Sequence, residues 1–307
     1  MRRSGWRVAQ MVLGVLVVGL ALRQVLANWD AVRTTPFTWQ VQPLLLVLSA
    51  VVVWGMYALL VATWRLLVER WGGRLTLREA AGIWTVSSLG KYVPGKVWAI
   101  AGMAVLAKRV GVPPWIATGA AVLNQVLAVG AGIVVVALTG TALLEARYPW
   151  LRTAMWILLA VVVLGLFVLS SANIVRRLLV AAGIDARDTA GPPRSALVLA
   201  GLANVVAWLG YGVALWLMAR GLTDVPLPLG LAIGAFAASY LMGFLALVAP
   251  AGLGVRESVF ILMLDHAVGT PAAVALALAS RLLLTVTELG AAVPFLLSSR
   301  ERARVAP

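Results

Sequence analysis

Long apolar blocks separated by short polar segments dominate the chain. Four of these blocks contain no Asp, Glu, Lys or Arg and reach about 20 residues, the length that spans a bilayer as a helix: Leu44–Trp64, Trp115–Leu144, Thr153–Ala172 and Ser195–Ala219. Because lipid offers no hydrogen-bond partners to an exposed backbone, such blocks must form helices. The hydrophobic pattern therefore predicts an all-α integral membrane protein.

Further apolar stretches raise the number of predicted transmembrane helices to about six to eight. The outermost two are Val8–Ala27 and Pro271–Leu297. Residues 1–27 also fit a cleaved signal peptide, because basic residues precede the apolar run. The only solvated linker of any length is Ile184–Ser195, so we expect a single polytopic membrane domain over residues 1–307.

Two of the apolar regions are interrupted by Pro and Gly. In the first, the pieces Leu77–Leu89 and Val97–Ala107 flank the break, and neither is long enough to cross a bilayer comfortably. The second region is Leu227–Ala267. We expect each region to form a broken, re-entrant helical hairpin. The alternative, that Leu227–Val248 crosses the membrane completely, is also allowed by its length.

The two broken regions resemble each other. Each has a Pro/Gly break, a short apolar stretch, a second Gly/Pro turn, and a long helix with a polar residue near its middle, Asn124 or Arg281. Three complete spans separate the hairpins, which would therefore enter from opposite faces. We expect a weak inverted repeat of residues 77–144 and 227–297, an arrangement that surrounds the binding site in many transporters.

The composition excludes a soluble enzyme or binding module. Hydrophobic residues make up 62% of the chain and charged residues 12%, with a mean hydropathy of +0.98, whereas a soluble domain has about 25% charged residues. The chain has one His and no Cys, and no phosphate-binding loop or zinc-protease motif occurs in it. We therefore expect no metal, no cofactor and no enzymatic activity.

The net charge of +14 would suggest nucleic acid in a soluble protein, but no basic patch with interleaved aromatic residues appears, so nucleic acid is not an expected partner. Most cations lie at the ends of apolar blocks, where they orient the protein and meet anionic headgroups. If both broken regions are re-entrant, one side of the membrane keeps few of them: Arg23, Arg33, Arg147, Arg152 and Arg220. Cations favour the cytoplasmic side. We therefore expect a multi-pass plasma-membrane protein with both termini in the cytoplasm.

Charged residues deep in the last helix are the first candidates for a functional site. Arg281 lies about 15 Å into this helix, near mid-bilayer, and Glu288 follows about two turns later on the same face. A charge at this depth is costly unless it faces a partner or a polar cavity. One interpretation is an internal salt bridge with another helix. The other is a cavity that holds a lipid headgroup, with Arg281 and Glu288 in its lining.

The second break starts a short helix and carries the clearest anion-binding pattern. The segment from Gly252 to Glu257 reads Gly-Leu-Gly-Val-Arg-Glu. A helix N-terminus offers free N–H groups and the positive end of the helix dipole, and the planar fork of Arg256 matches phosphate oxygens. We therefore expect Gly252, Gly254, Arg256 and Glu257 to contribute to headgroup binding.

Three other polar residues are candidates for the same cavity. Lys91 and Lys96 flank the first break, where they either bind the headgroup or extend to the membrane interface. Asn124 lies within an apolar block, where it forms an interhelical hydrogen bond or lines the cavity.

Two motifs carry a resemblance to a known family. The segments Tyr92–Lys96, which reads Tyr-Val-Pro-Gly-Lys, and Pro250–Glu257, together with the later Arg281 and Glu288, resemble the lysylphosphatidylglycerol synthase transmembrane-region family, whose members are described as flippase-like. The resemblance covers most of the chain, from about the first helix to Leu297.

The resemblance implies a protein that moves an aminoacylated phospholipid or a polyprenyl-linked lipid across the membrane. The chain ends at Pro307, so we expect no aminoacyltransferase domain and a separate enzyme that makes the lipid. Membrane lipids, anionic or phosphate-bearing, are the implied partners. The alternative function is an accessory component or an enzyme of lipid or glycolipid synthesis.

The orientation can be tested by cysteine labelling, because the chain contains no Cys. We expect an Asp188→Cys variant to react with a membrane-impermeant thiol reagent only after the cells are permeabilised, since the surrounding linker should be cytoplasmic. Strong labelling of this variant in intact cells would contradict the orientation.

Overall fold

The computed structural model describes residues 41–92, 98–139, 150–169, 177, 192–246 and 252–305, and this part of the chain is helical throughout apart from short turns. Its helices are α1 (Pro43–Arg70), α2 (Leu77–Ser88), α3 (Trp98–Arg109), α4 (Pro114–Thr139), α5 (Trp150–Leu169), α6 (Arg194–Leu222), α7 (Leu229–Leu245), α8 (Val255–Val268) and α9 (Thr270–Val305). The predicted helix Val8–Ala27 and most of the linker Ile184–Ser195 lie outside the described residues.

Four of the described helices are long and apolar enough to cross a membrane: Pro43–Arg70, Pro114–Thr139, Arg194–Leu222 and Thr270–Leu297. The prediction of an all-α membrane protein is therefore confirmed. The last helix continues beyond its predicted end at Leu297 to Val305. The apolar run stops at Leu297, but the polar residues that follow are good helix formers, so the helix extends past the lipid-compatible segment.

Local signals explain where several helices begin. Pro43 occupies the first turn of α1, where a missing N–H costs nothing. At the start of α2 the Thr76 hydroxyl accepts a hydrogen bond from the Glu79 N–H, and the Glu79 carboxylate accepts one from the Thr76 N–H. This capping box satisfies backbone donors that would otherwise be unpaired in or near lipid.

Helices α1 and α6 form an antiparallel pair. Ser49, early in α1, donates a hydrogen bond to the carbonyl of Ala214, late in α6. Further along, Gly210 of α6 packs directly against the Met56 side chain. The absence of a side chain at Gly210 lets the two helices approach closely, as small residues do in membrane bundles.

Helix α4 runs parallel to α6 and joins it through buried polar contacts. The Asn204 amide donates to the Asn124 side-chain oxygen over 2.9 Å, and the Trp208 indole N–H donates to the carbonyl of Ala128 over 2.8 Å. At the start of α4, the carbonyl of Ala117 accepts from the indole of Trp64, near the end of α1. One end of the bundle therefore gathers the end of α1 and the starts of α4 and α6.

We call this end of the bundle the basic end. The contacts above show at which end of the bundle a cation lies, and most of the cations placed in this way lie at the basic end: Arg65, Arg70, Arg74, Arg78, Lys108, Arg109 and Arg194. The opposite end carries Arg220, in the last turn of α6, and Asp265, at the end of α8. The charge asymmetry expected from the sequence is thus present in the described part of the chain.

The first hairpin, α2 and α3, starts at the basic end, and the turn after α2 reaches Glu288 of α9. Each of the two helices has 12 residues, about 18 Å, against about 30 Å for the hydrocarbon core. A single 3₁₀ turn, Leu89–Tyr92, follows α2. Near the start of α2, Gly82 packs against the ring of Phe295, late in α9. The first hairpin therefore runs antiparallel to α9 and points toward its middle.

The second hairpin, α7 and α8, enters from the opposite end. Helix α7 has 17 residues, α8 has 14, and α8 leads through Gly269 directly into the start of α9. At the tip, Gly252 lies against the backbone of Gly243, and Gly243 packs on Arg256. The end of α7 thus lies against the start of α8, and the two helices form a hairpin; whether Leu227–Val248 crosses the membrane completely stays a prediction.

Helix α9 is the helix on which both hairpins meet. It is the most enclosed of the four long helices: 67% of its most apolar window is buried, against 22% for α1. The tip of the second hairpin contacts Arg281 and that of the first contacts Glu288. These two positions are about 10 Å apart along the helix axis. The hairpins thus approach one another from opposite ends, as an inverted repeat predicts.

The tip of the second hairpin depends on a glycine at position 252. Its φ of +68° is rarely adopted by other residues, and a Cβ would lie 2.7 Å from the Cα of Gly243. We expect Gly252→Ala to destabilise the protein by roughly 1–3 kcal/mol, measured by thermal unfolding in detergent. Gly55→Ala is the matched control, because no atom lies within 4 Å of its Cβ position, and it should be neutral or slightly stabilising.

Candidate functional site

Glycines and a carboxylate shape the N-terminus of α8 at the tip of the second hairpin. Gly254, with φ of +83°, is the residue before the first turn of α8. Its N–H donates to the Glu257 carboxylate over 2.8 Å. This bond closes the start of the helix and places Glu257 and its neighbour Arg256 at the tip, at the positive end of the helix dipole.

Glu257 forms a buried ion pair with Arg281. The Arg281 guanidinium donates to the second carboxylate oxygen of Glu257, and the side chains of both residues are about nine-tenths buried. Two buried charges of opposite sign stabilise one another when their remaining donors and acceptors are also satisfied. The pair therefore attaches the tip of the second hairpin to the middle of α9.

Arg256 lies beside this pair with different partners. Its guanidinium donates a hydrogen bond to the Ser280 hydroxyl over 3.1 Å. It also lies 5.4 Å from the ring centre of Phe236 and 5.3 Å from that of Tyr240, distances at which aromatic faces attract a cation. Arg256 is only 8% exposed. Among the ion pairs of the described residues, none joins Arg256 to a carboxylate.

The tip of the first hairpin binds α9 through Glu288. The Lys91 ammonium donates to one carboxylate oxygen over 2.5 Å, and the Tyr92 hydroxyl donates to the other over 2.7 Å. Both donors belong to the 3₁₀ turn that follows α2. Glu288 is 7% exposed, so a single buried carboxylate binds both Lys91 and Tyr92.

The charges of the described residues at the two tips do not cancel. Among these residues the cations are Lys91, Arg256 and Arg281, and the carboxylates are Glu257 and Glu288. The carboxylates neutralise Lys91 and Arg281, which leaves the charge of Arg256 over. An uncompensated charge in a low-dielectric region is strongly unfavourable, so this arrangement favours binding of an anion beside Arg256.

Aromatic and hydroxyl side chains surround the charged residues, and the sequence analysis did not identify them. Phe236 stacks on both Tyr211 and Tyr240, and the Tyr57 hydroxyl lies 3.0 Å from that of Ser88. One signal was available, because Phe236 and Tyr240 are four residues apart on α7 and must share a face. Their position over Arg256 depends on how the second hairpin folds back, which no local pattern reveals.

The structure places the remaining predicted residues as follows. Gly252 and Gly254 lie at the tip of the second hairpin, directly before the helix that carries Arg256 and Glu257. Asn124 is buried and hydrogen-bonded to Asn204, which matches the interhelical interpretation of this residue. Lys96 lies outside the described residues.

Arg281 and Glu288 share a face of α9, as their spacing predicts, but they bind different hairpins. Both therefore form salt bridges to a hairpin, as the first of the two interpretations of these buried charges expects. Arg281 has a carboxylate partner, whereas no ion pair within the described residues includes Arg256.

Comparison with known protein families agrees with the architecture. The family model described as lysylphosphatidylglycerol synthase TM region matches residues 7–290, nearly the whole chain. The matched region includes both hairpins and both ion pairs with α9. No curated protein matches the chain. The chain belongs to the lysylphosphatidylglycerol synthase transmembrane-region family.

Proposed function

We propose that the protein moves a phosphate-containing lipid between the two leaflets of the plasma membrane. The observation that carries the proposal is the buried, net positive group of side chains where the two hairpin tips meet on α9. A helix bundle gains nothing from an unpaired cation at this depth unless a ligand compensates it. The membrane-lipid context of the family supports the same conclusion.

Each charged residue has a distinct role in this proposal. Arg256, together with the N–H groups at the start of α8, binds the phosphate. The Arg281–Glu257 and Lys91–Glu288 pairs hold the two tips on α9. The acyl chains remain in lipid outside the bundle.

The opposed hairpins explain how the site could open to either leaflet. Each tip separates the charged residues from one face of the membrane by helices that span only part of it, about 18 to 25 Å. Movement of one hairpin away from α9 would expose the site toward the face from which that hairpin enters. Movement of the other would expose the opposite face, as in transporters built from inverted repeats.

The distribution of cations orients the molecule. We assign the basic end to the cytoplasm, because Lys and Arg concentrate on that side of membrane proteins. Helix α9 ends at the basic end, and the C-terminus is then cytoplasmic, as is the N-terminus if the predicted first helix Val8–Ala27 crosses the membrane. A separate lipid-synthesising enzyme would deliver its product from the same side.

The different partners of the two arginines give a direct test. We expect Arg256→Met to fold normally and to lose lipid translocation, because no carboxylate loses its partner. Arg281→Met should destabilise the protein by roughly 3–5 kcal/mol, because it leaves Glu257 buried without a counter-charge. Thermal unfolding in detergent measures stability, and headgroup exposure of a labelled phospholipid in reconstituted vesicles measures lipid translocation.

The double variant Arg281→Met, Glu257→Leu serves as the control for stability. Removing both charges should restore folding, since a buried pair can often be replaced by apolar residues without loss. An Arg256→Met protein that folds and translocates lipid at the wild-type rate would refute the proposal. Chemical conversion of the lipid, with no change of leaflet, would instead favour the alternative of an enzyme or accessory component.

A further inference from the structure

Helices α1 and α3 end at the basic end in the same type of cap. After each helix a glycine with positive φ turns the chain, Gly72 with φ of +96° and Gly111 with φ of +81°. The following N–H donates back into the last turn of the helix, from Gly73 over 2.9 Å and from Val112 over 3.1 Å. Both ends are therefore Schellman caps, in which carbonyls of the last turn already have donors.

The two caps pack directly on one another. A Cβ at Gly73 would lie 3.4 Å from a methyl group of Val112, which is only 2% exposed. Beside them the buried indole of Trp71 packs edge-on against Trp115, with ring centres 5.8 Å apart. The apolar side chains of the two caps thus form one buried base, and this base brings the charged residues of both turns to one surface.

Cations occupy the exposed side of both caps. Arg70 and Arg74 flank the glycines of the first cap, and Lys108 and Arg109 end the last turn of α3. All four residues are exposed, and we call them the cap cluster. Within the described part of the chain none of the four forms an ion pair. The acid next to the cluster in sequence, Glu69, already has an arginine partner one turn earlier.

The cap cluster favours a phosphate-bearing anion. A helix dipole stabilises cations in the last turn of its own helix, which accounts in part for Arg70, Lys108 and Arg109. Arg74 lies beyond the end of α1, where this effect has faded, and the four like charges repel one another. A phosphate relieves the repulsion, and two of its oxygens match the planar fork of an arginine.

An exposed apolar stripe on α3 leads to the cap cluster. Trp98, Val105 and Arg109 lie within about 40° of one another around the helix, over about 16 Å of its axis. Trp98 and Val105 are each 54% exposed. In a membrane protein such side chains face the acyl chains, while a cation at the end of the stripe lies at headgroup level. The stripe and the cluster together therefore match the two chemical parts of an anionic phospholipid.

We propose that the cap cluster binds an anionic phospholipid of the leaflet at the basic end. The phosphate contacts Arg74 and Arg109, one from each cap, and an acyl chain lies along Trp98 and Val105. This lipid stays on the outer surface of the bundle and does not enter the site at the hairpin tips. Because one cap ends α1 and the other ends the first hairpin, the bound lipid joins the base of this hairpin to α1. An acidic protein surface would match the charge of the cluster but not the apolar stripe.

Thermal unfolding of the purified full-length protein in a neutral detergent tests the proposal. The additives are phosphatidylglycerol, phosphatidylcholine with the same acyl chains, and glycerophosphoglycerol without acyl chains, each titrated separately. A compound that binds only the folded protein raises the unfolding temperature as its concentration increases. We expect saturable stabilisation by phosphatidylglycerol, with an apparent affinity at least about tenfold higher than that of either other additive.

Two double variants separate a defined site from diffuse attraction of anions to the basic end. Arg74→Gln, Arg109→Gln should weaken the apparent affinity for phosphatidylglycerol at least about fivefold, because it removes both phosphate contacts. Arg78→Gln, Arg194→Gln is the matched control, since it removes two exposed charges from the same end but outside the caps. This control should change the affinity less than about twofold.

The same titration of the Arg256→Met protein separates the cap cluster from the hairpin tips. Stabilisation by phosphatidylglycerol should persist in this variant, because Arg256 lies outside the caps. Its loss would assign the lipid to the tips and overturn the inference, while leaving the proposed function intact. Equal stabilisation by phosphatidylcholine or glycerophosphoglycerol, equal effects of the two double variants, or no saturable effect of any additive would also overturn it.

Discussion

A charged side chain in the hydrocarbon core of a membrane must find a counter-charge, and helix α9 carries two such side chains on one face. Arg281 and Glu288 are both buried, with 8% and 7% of their surface exposed. Each finds its partner near the tip of a helical hairpin. The positions of both tips, the opposed entry of the hairpins and the enclosure of α9 all follow from this requirement.

The tips can reach α9 because they are built from small and irregular residues. Side chains set the distance between two packed helices. At the second hairpin the backbones come closer, because Gly252 packs directly against Gly243. The turn frees backbone N–H groups at the start of α8, and Gly254 gives one of these to Glu257. Irregular backbone at membrane depth is tolerated where protein buries it or where it faces a polar cavity; Gly252 is buried and Gly254 is exposed.

Much of this architecture could be predicted from the sequence, because apolar length and Pro/Gly breaks are local properties. The depth of Arg281 and Glu288 follows from counting residues along α9, and the anion-binding character of Gly252–Glu257 follows from its glycines and charges. The pairing could not be predicted. Arg256 and Glu257 are adjacent in sequence, but their side chains point about 100° apart on a helix. Glu257 therefore binds Arg281, whereas Arg256 lies beside Ser280 and two aromatic rings. Asn204 illustrates the same limit: an Asn in an apolar block signals a polar partner, but only packing identifies that partner as Asn124.

The two hairpins bring charges of opposite sign to α9. The first contributes the cation Lys91 and the second the carboxylate Glu257, while α9 provides the complementary charge in each case. The repeat is thus symmetric in shape but antisymmetric in charge. A hairpin that moves away from α9 would therefore leave a charge of a different sign on that helix: the carboxylate of Glu288 at the first tip and the guanidinium of Arg281 at the second, about 10 Å away. In the proposed transport cycle, opening toward one face of the membrane would expose a carboxylate on α9, and opening toward the other face would expose a cation.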